Sequence, residues 1–445
     1  MRISRPCPAK THPSATNSST TFVSHSSLSR EQRQEAEEAF ATARNCVIVA
    51  TSTLELGIDV GDLDRVIQID APTTVASFLQ RIGRTGRRPG STRNCLFLAS
   101  NERSLLQAAA LLKLWESGFV EPIESPACPY HIFAQQLLAL SLQHNGIGLR
   151  EWEDVLLRLP AFADIPAVTR RRILDHLQSE GFLFSDGARW CCGDQTETRF
   201  GRRHFLELVS VFTTPPVFTV MHGQKTVGTV DPMFLGQHTS DRPLTLALAG
   251  RGWRIHWIDW REKTVFVELV ESTGRAGWFG LSAGLPPALC DAIRELVLSE
   301  EESPLWTTRA KSGMRTLRES FDHLRHTTTG VCQNPDTNFL SWFNFSGAQI
   351  NQCLKLALEP LTLVEWQADD FGLHARQSIQ PTELQEALHQ LTSSPDWIAQ
   401  IPVPEPLVDG LKFAECLPRD LALDLLRTRL LATAKQPDLL APAQK

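Results

Sequence analysis

The chain has 445 residues and a formal net charge of −6 at pH 7, so it is no binder of polyanions by bulk charge; any nucleic-acid path must be a local basic groove. Its ten cysteines include no CxxC pair, which argues against a zinc site or a disulfide framework, and leaves reduced core thiols as the expectation. No apolar run reaches the roughly 18 residues a membrane span needs, and the length suits two to four domains.

Residues 1–21 are rich in Ser, Thr and Pro, with Arg2, Arg5 and Lys10 and no acidic residue before Glu31. That charge bias faintly resembles a transit peptide, but amphipathic periodicity is missing, and a disordered tail is expected. Cys46–Ala50 is then a short apolar run of buried parallel-strand type, followed at its carboxyl end by Thr51, Ser52 and Thr53. In open α/β sheets that is where ligands bind. Hydroxyls there suit sugar-phosphate oxygens, although a Ser or Thr after a strand is ordinarily just a helix cap. Asp59, two residues beyond Gly57, suits a ribose hydroxyl or an arginine. A second apolar run, Val66–Ile69, leads through Asp70 and Pro72 into a helix that passes Phe78 and delivers QRIGRTGRR (80–88). Arg84 and Arg87 are three apart, so one helical turn would present both guanidinium forks on one face. Gly83 and Gly86 beside them permit close approach of another surface. An arginine supplied to the γ-phosphate is worth roughly 10³ to 10⁵ in rate for phosphoryl transfer.

Residues 126–200 read as three helices (132–142, 149–159 and 167–180) and a hairpin over 184–190 that turns at Asp186-Gly187, where Asp-Gly favours a type I′ turn. That is a winged-helix pattern. Its third helix opens on Arg170, Arg171 and Arg172, placed to lie along phosphates or to brace a neighbouring domain. From 201 to 290 the pattern changes to strands, as in a small antiparallel β-barrel. Trp253, Ile255 and Trp257 alternate against Arg254, His256 and Ile258, and both tryptophans are expected in the barrel core. Trp278, among Gly274, Gly277 and Gly280, is the better candidate for a surface ring that stacks on bases. The remainder, 291–430, reads as mainly helical. A run over 307–326 carries Arg309, Lys311, Arg315, Arg318 and Arg325, either a solvated face or a lining for a nucleic-acid backbone. Residues 431–445 form a Pro/Gln-rich tail. The vicinal Cys191-Cys192 and the pair His323/His326 are read as structural.

Several segments together resemble the large helicase-related (Lhr) family of superfamily 2 helicases. HSSLSREQR (25–33) is similar to the family's HHGSLSREQR, with Ser26-Ser27 where His-Gly is usual. ATSTLELGID (50–59) resembles motif V, and Gln80, Gly83, Arg84 and Arg87 fall on the QxxGRxxR of motif VI. Further segments at 201–223, 248–259, 342–354 and 411–422 resemble the accessory region. The resemblance implies ATP-dependent 3′ to 5′ translocation along single-stranded DNA, with unwinding of DNA or RNA–DNA duplexes, in a bacterial cytoplasm. It implies nucleotide contacts from Gly57, Asp59, Gln80, Arg84 and Arg87, with the two arginines catalytic. Nucleic-acid contacts fall to Ser26, Ser27, Thr51, Ser52, Thr53 and Arg170 to Arg172.

The family holds ATP with Mg2+ between two RecA-like domains, the phosphate loop and acidic box lying on the first. These 445 residues contain neither a GxxxxGK[ST] loop nor an Asp-Glu dipeptide. The expectation is therefore a multidomain α/β chain with an incomplete second RecA-like domain (22–125) that wants its opening strand, exposes an apolar sheet face, and meets its nucleotide through a partner, such as a separate chain carrying the first domain. The alternative is a degenerate remnant that grips single-stranded nucleic acid and hydrolyses nothing.

Overall fold

A computed structural model of the chain describes residues 2–3, 20–24, 34, 38, 46–51, 63–87, 89–123, 127–201, 204–210, 218–230, 245–248, 251–270, 284–327, 329–334, 337–393, 408 and 411–432. Two units are resolved by their internal contacts. The first takes Met1–Glu121, Pro215–Ala283 and Ala292–Phe321; the second takes Pro122–Thr214, Gly284–Asp291 and Asp322–Lys445.

The first unit begins with short strands, most of them paired in parallel. β1 (Arg2–Ile3) lies antiparallel on β5 (Cys95–Leu98), while β2 (Thr20–Ser24) runs parallel to β3 (Cys46–Ala50) and β4 (Val66–Ile69) parallel to β5. Arg2–Ile3 and Thr20–Thr21, inside the stretch expected to be a disordered tail, are thus strand. Two helices follow the last two strands, α1 (Val75–Ile82) and α2 (Glu102–Glu116). The period-two alternation of the strands decides which face they cover. Cys95 and Phe97 are buried, and Phe97 meets Phe78 of α1 at 5.4 Å between ring centroids, with Trp115 of α2 edge-on to Phe78 at 5.8 Å. The alternate residues Ile67, Ile69 and Leu98 are exposed, as are Val23, Val47 and Val49 of the separate β2–β3 pair, apolar surface of the kind the sequence implied.

In the second unit, α3 (Tyr130–Gln143), β6 (Ile147–Gly148), α4 (Glu151–Leu156), α5 (Pro160–Ala163), α6 (Ala167–Ser179), β7 (Leu183–Ser185) and β8 (Arg189–Cys192) follow in order, the strands forming a sheet β6-β8-β7. α7 (Asp194–Phe200) and α8 (Leu206–Val209) complete this stretch. The hairpin turn sits one residue later than Asp-Gly implied. Asp186 N–H donates to the Arg189 carbonyl, so Gly187, at φ 95°, is the first central residue, and the Asp186 carboxylate accepts the N–H groups of Ala188 and Arg189 instead of lending its own backbone to the bend.

Back in the first unit, β9 (Phe218–His222), β10 (Lys225–Val230), β11 (Thr245–Leu248), β12 (Arg251–Asp259) and β13 (Thr264–Val270) form one sheet, ordered β10-β9-β13-β12-β11. Among the described residues it is an open half-barrel whose edges are β10 and β11, rather than a closed barrel. Its inner face holds Phe218, Val220, Val227, Leu246, Trp253, Ile255, Val265 and Val267. Trp253 is 6% exposed, as expected of core, but Trp257 is 54% exposed. The cause is a bulge: Ile255 pairs with Val267 and Trp257 with Phe266, so His256 is supernumerary and the alternation inverts after it.

Next come α9 (Pro287–Leu298) and α10 (Thr308–Ser320). The mainly helical expectation for 291–430 fails beyond them, because β14 (Val331–Gln333), β15 (Phe339–Phe343), β16 (Trp366–Ala368) and β17 (Gly372–Ser378) form a four-stranded sheet, β14-β15-β17-β16. α11 (Ala348–Thr362) and α12 (Pro381–Ser393) pack on it through Leu354, Leu358 and Leu384 against Leu340, Trp342, Trp366 and Leu373. WFNFSGAQINQCL is the joint of this layer. Buried Asp370 accepts the N–H groups of Leu285 (2.7 Å) and Ala348 (3.2 Å), and Asn351 donates to the Asp369 carbonyl. Gly347, at φ 88°, passes so close to Leu285 that an added Cβ would lie 2.5 Å from its carbonyl oxygen. The last helix, α13 (Arg419–Ala432), with Leu411, Phe413 and Cys416 before it, returns to the core of α3 to α8.

Candidate functional site

The arginine segment hangs from α1, and α1 is held at both ends. Thr74 caps it by accepting the Ser77 N–H at 3.1 Å, and the Glu121 carboxylate takes the N–H groups of Val75 (2.6 Å) and Ala76 (2.8 Å), satisfying donors that a helix start leaves without intrahelical partners. Gln107 of α2 donates to the carbonyls of Ala71 and Pro72 ahead of the helix. Asp70, in left-handed backbone at φ 54°, accepts the Ser100 N–H (2.9 Å) and hydroxyl (3.0 Å); the backbone bond foremost holds its carboxyl below the usual range. The two carboxyl strand ends are therefore stapled together. Arg81 is spent on Gln68, at 2.7 Å.

α1 ends at Ile82, so Arg84 and Arg87 do not share a helical turn as their spacing implied. Thr85 stops the helix. It forms a parallel bridge with Leu63, its hydroxyl donates to the Ile82 carbonyl (2.8 Å) and accepts the Asn94 N–H (3.0 Å), and the Leu63 N–H binds the Arg84 carbonyl at 2.9 Å. Gly86 then turns the chain at φ 70°, where an added Cβ would stand 2.7 Å from the Arg93 nitrogen. Beyond the turn, the Arg87 Nε–H donates back to the Gly83 carbonyl at 3.0 Å, which sets the plane of its guanidinium. Arg84 is half-buried, Arg87 and Gln80 are exposed. Two guanidinium groups with no carboxylate between 80 and 87 suit the oxygens of a polyphosphate.

Thr51 is exposed, and its N–H extends the β2–β3 ladder to the Ser24 carbonyl. Ser26, Ser27, Ser52, Thr53, Gly57 and Asp59 lie outside the described residues, as does Trp278. At the carboxyl end of β5, in the separate β1-β5-β4 sheet, a cleft of about 640 Å³ opens toward α10, lined by Leu98, Ser100, Asn101, Arg309, Ser312 and Thr316 among others. The rest of the basic run on α10 is occupied. Arg318 is only 4% exposed and donates to the carbonyls of Leu296 and Glu301; Lys311 and Arg315 both bind Glu302, and their hydrogen bonds hold that carboxyl below its usual range. In the other unit, Arg170 donates to the Ile165 carbonyl (2.7 Å), Arg171 pairs with Asp175 (2.9 Å) and Arg172 with Asp420 (2.7 Å). The three are at the start of α6 but each already serves the fold.

Among the described residues no group of three or more His, Cys, Asp and Glu side chains is placed to hold a metal, and no helix is long and apolar enough to cross a membrane. Burial pushes the Cys192 thiol up to about 11, in keeping with an inert core thiol. What the sequence hid is the clamp of Glu121, Gln107 and Ser100. The one available sign was Asn101 with Ser104, a reciprocal cap that marks the start of α2.

Residues 12–89, which include the whole arginine segment, match the helicase conserved C-terminal domain. The chain is 35% identical over 156 residues to the Lhr helicase/probable uracil glycosylase of Mycolicibacterium smegmatis, and 37% identical over 151 residues to the Lhr helicase/uracil glycosylase of Escherichia coli. These alignments take in 35% and 34% of this chain and 10% of each relative. Among solved structures, the Mycobacterium smegmatis helicase Lhr bound to ssDNA and AMP-PNP shares the fold at a TM-score of 0.56 and 21% identity, over 94% of this chain and 55% of that one. The chain thus spans a tenth of the length of those two relatives.

Proposed function

We propose that this chain, a relative of the Lhr helicases in its C-terminal helicase region and in its fold, serves as the arginine-bearing half of an ATP-driven nucleic-acid helicase. Arg84 and Arg87 would act on the phosphates of an ATP, with Mg2+, whose phosphate loop and acidic box belong to another RecA-like domain. The observation that carries this reading is the built loop from Ile82 to Arg87. A bridge, a left-handed glycine and an Nε–H bond together hold the exposed Arg87 guanidinium, with half-buried Arg84 before it, at the end of a helix clamped at its start. A merely solvated basic loop needs none of these constraints. Charge stabilisation from fixed donors is also the main means by which proteins accelerate phosphoryl transfer.

Gln80, Gly57 and Asp59 belong to the same nucleotide edge on this reading. Ser26, Ser27, Thr51, Ser52 and Thr53 would meet a nucleic-acid strand running along the carboxyl ends of β2 and β3, and the cleft of Ser100, Asn101 and Arg309 at the end of β5 would offer a further contact. On this reading the α3 to β8 stretch is a winged helix, which its element order and the β6-β8-β7 pairing support. With Arg170, Arg171 and Arg172 engaged internally, it serves as a brace more than as a reader of bases. The strand would be single-stranded DNA or one strand of an RNA–DNA hybrid.

The test is complementation. The purified chain should show no DNA-stimulated ATP hydrolysis alone, should gain it when mixed with a separately produced RecA-like domain carrying a phosphate loop, and should lose it again in Arg87→Ala. Hydrolysis by the chain alone at a helicase-like rate, or a restored rate indifferent to Arg87, would overturn the proposal. Binding of single-stranded DNA with no gain on mixing would instead favour a gripping module without ATPase activity.

A further inference from the structure

The outer face of the half-barrel carries aromatic surface that its core does not use. The bulge at His256 turns Trp257 outward, where its indole stacks on Phe266 with centroids 5.4 Å apart and planes 20° from parallel. Phe266 supports one face of the ring, and more than half of Trp257 remains accessible. Trp260, also exposed, sits edge-on to Phe218 at 5.3 Å. Burying Trp257 would have required only the unbroken alternation that already buries Trp253 and Ile255. One inserted residue sends the second tryptophan of the strand to the surface instead.

Its neighbours indicate the occupant. Arg254 and His256 are exposed on the same strand, and the turn after it carries exposed Arg261 and Lys263. Of the nearby carboxylates, Asp259 is occupied by the N–H groups of Arg261 and Glu262, Glu268 pairs with Arg254 at 3.5 Å, and Glu262 is exposed between Arg261 and Lys263. A flat, exposed π-face in a charged surround, with guanidinium and ammonium groups beside it, suits a base with its flanking phosphates better than an apolar protein surface.

We propose that Trp257, backed by Phe266, is a stacking platform for a base of single-stranded nucleic acid, with Arg254 and His256 beside it facing the phosphates. It rests on the nucleic-acid reading above, but on a different element from the arginine loop. Base–aromatic contacts, removed by alanine, weaken binding by roughly fivefold to a hundredfold.

The test is fluorescence anisotropy of a labelled dT oligonucleotide titrated with the full 445-residue chain at low salt. The wild type, Trp257→Ala and Trp257→Phe are compared, and each titration is repeated with an oligonucleotide of abasic sites. Trp257→Ala should bind the dT strand at least fivefold more weakly, Trp257→Phe should stay within about threefold of wild type, and on the abasic strand wild type and Trp257→Ala should be equal. Wild-type binding left unchanged by Trp257→Ala would overturn the platform and leave the nucleic-acid reading standing. No wild-type binding at any salt would overturn both. Unchanged binding together with a loss of self-association in sedimentation would show that the ring contacts protein, and would likewise overturn the platform.

Discussion

His131 gives the second unit a specific acid sensitivity. It lies on α3, 3% exposed, with Nε2 accepting from Arg429 of α13 at 2.8 Å, and among the described residues its Nδ1 has no hydrogen-bond partner. Burial, reinforced by the Arg429 charge, lowers its pKa from 6.5 to about 4. Above pH 6.5 the imidazole is neutral folded or unfolded, and the contribution to stability is fully present. Between 6.5 and 4 the unfolded chain takes up a proton that the folded one refuses, so stability falls as pH falls. At 1.36 kcal/mol per unit, the difference is worth about 3 kcal/mol in all and about 2 to 3 kcal/mol by pH 4.5. His131→Gln keeps an acceptor for Arg429 and removes the titration. Because the two units need not unfold together, the assay is hydrogen exchange of the α3 amides from pH 7.5 to 4.5, corrected for the intrinsic rate. Wild type should lose about 2 to 3 kcal/mol more protection over that range than His131→Gln. Parallel losses in the two proteins would refute a neutral, acid-labile His131.

Gly86→Ala should abolish the complemented ATPase and lower the melting temperature of the first unit: a left-handed alanine costs roughly 1 to 2 kcal/mol, and its Cβ collides with the Arg93 backbone. A fully active variant would mean that the loop does not set Arg87. Arg318→Ala orphans the buried carbonyl of Leu296 and loses the part-buried bond to Glu301, and should destabilise the first unit by roughly 1 to 3 kcal/mol in urea unfolding, the cost of one buried unsatisfied group. A direct role on nucleic acid would instead lower affinity without a stability cost. Asp370→Ala removes the single oxygen that accepts the N–H groups of Leu285 and Ala348, and calorimetry of the second unit should show a loss of at least roughly 1 to 3 kcal/mol.

Strongly local features were legible in the sequence. Cys46–Ala50 and Val66–Ile69 are strands, as their apolar runs implied, though Cys46–Ala50 is not the buried one expected, and the loop that follows α1 carries the arginines that QRIGRTGRR advertised. Spacing alone could not place Arg84 beyond the helix end, because Thr85 is pulled out of the helix by pairing with Leu63, a partner more than twenty residues earlier. Nor could it place Trp257, since a bulge is a property of two paired strands and not of the alternating one. The sheet of β14 to β17 escaped because its strands are only three to seven residues long, too short for periodicity to separate from helix. Arg318 read as part of a solvated basic face because its burial is imposed by α9 and the chain at Glu301, which helical spacing does not reveal.

The core around α3 is closed by residues from the far end of the chain. Leu208 and Val408 belong to it together, 200 residues apart, and Phe200 packs on Phe413 at 5.6 Å. During synthesis, at roughly 5 to 20 residues per second, the early half would wait on the order of 10 to 40 seconds for its lid, its apolar side chains open to chaperones or to other nascent chains. A premature stop anywhere before Val408 would therefore uncover Phe133, Leu177 and Phe200 rather than trim a dispensable tail. For the same reason a recombinant fragment ending near residue 200 would need 408–432 supplied, fused or in trans, to remain folded.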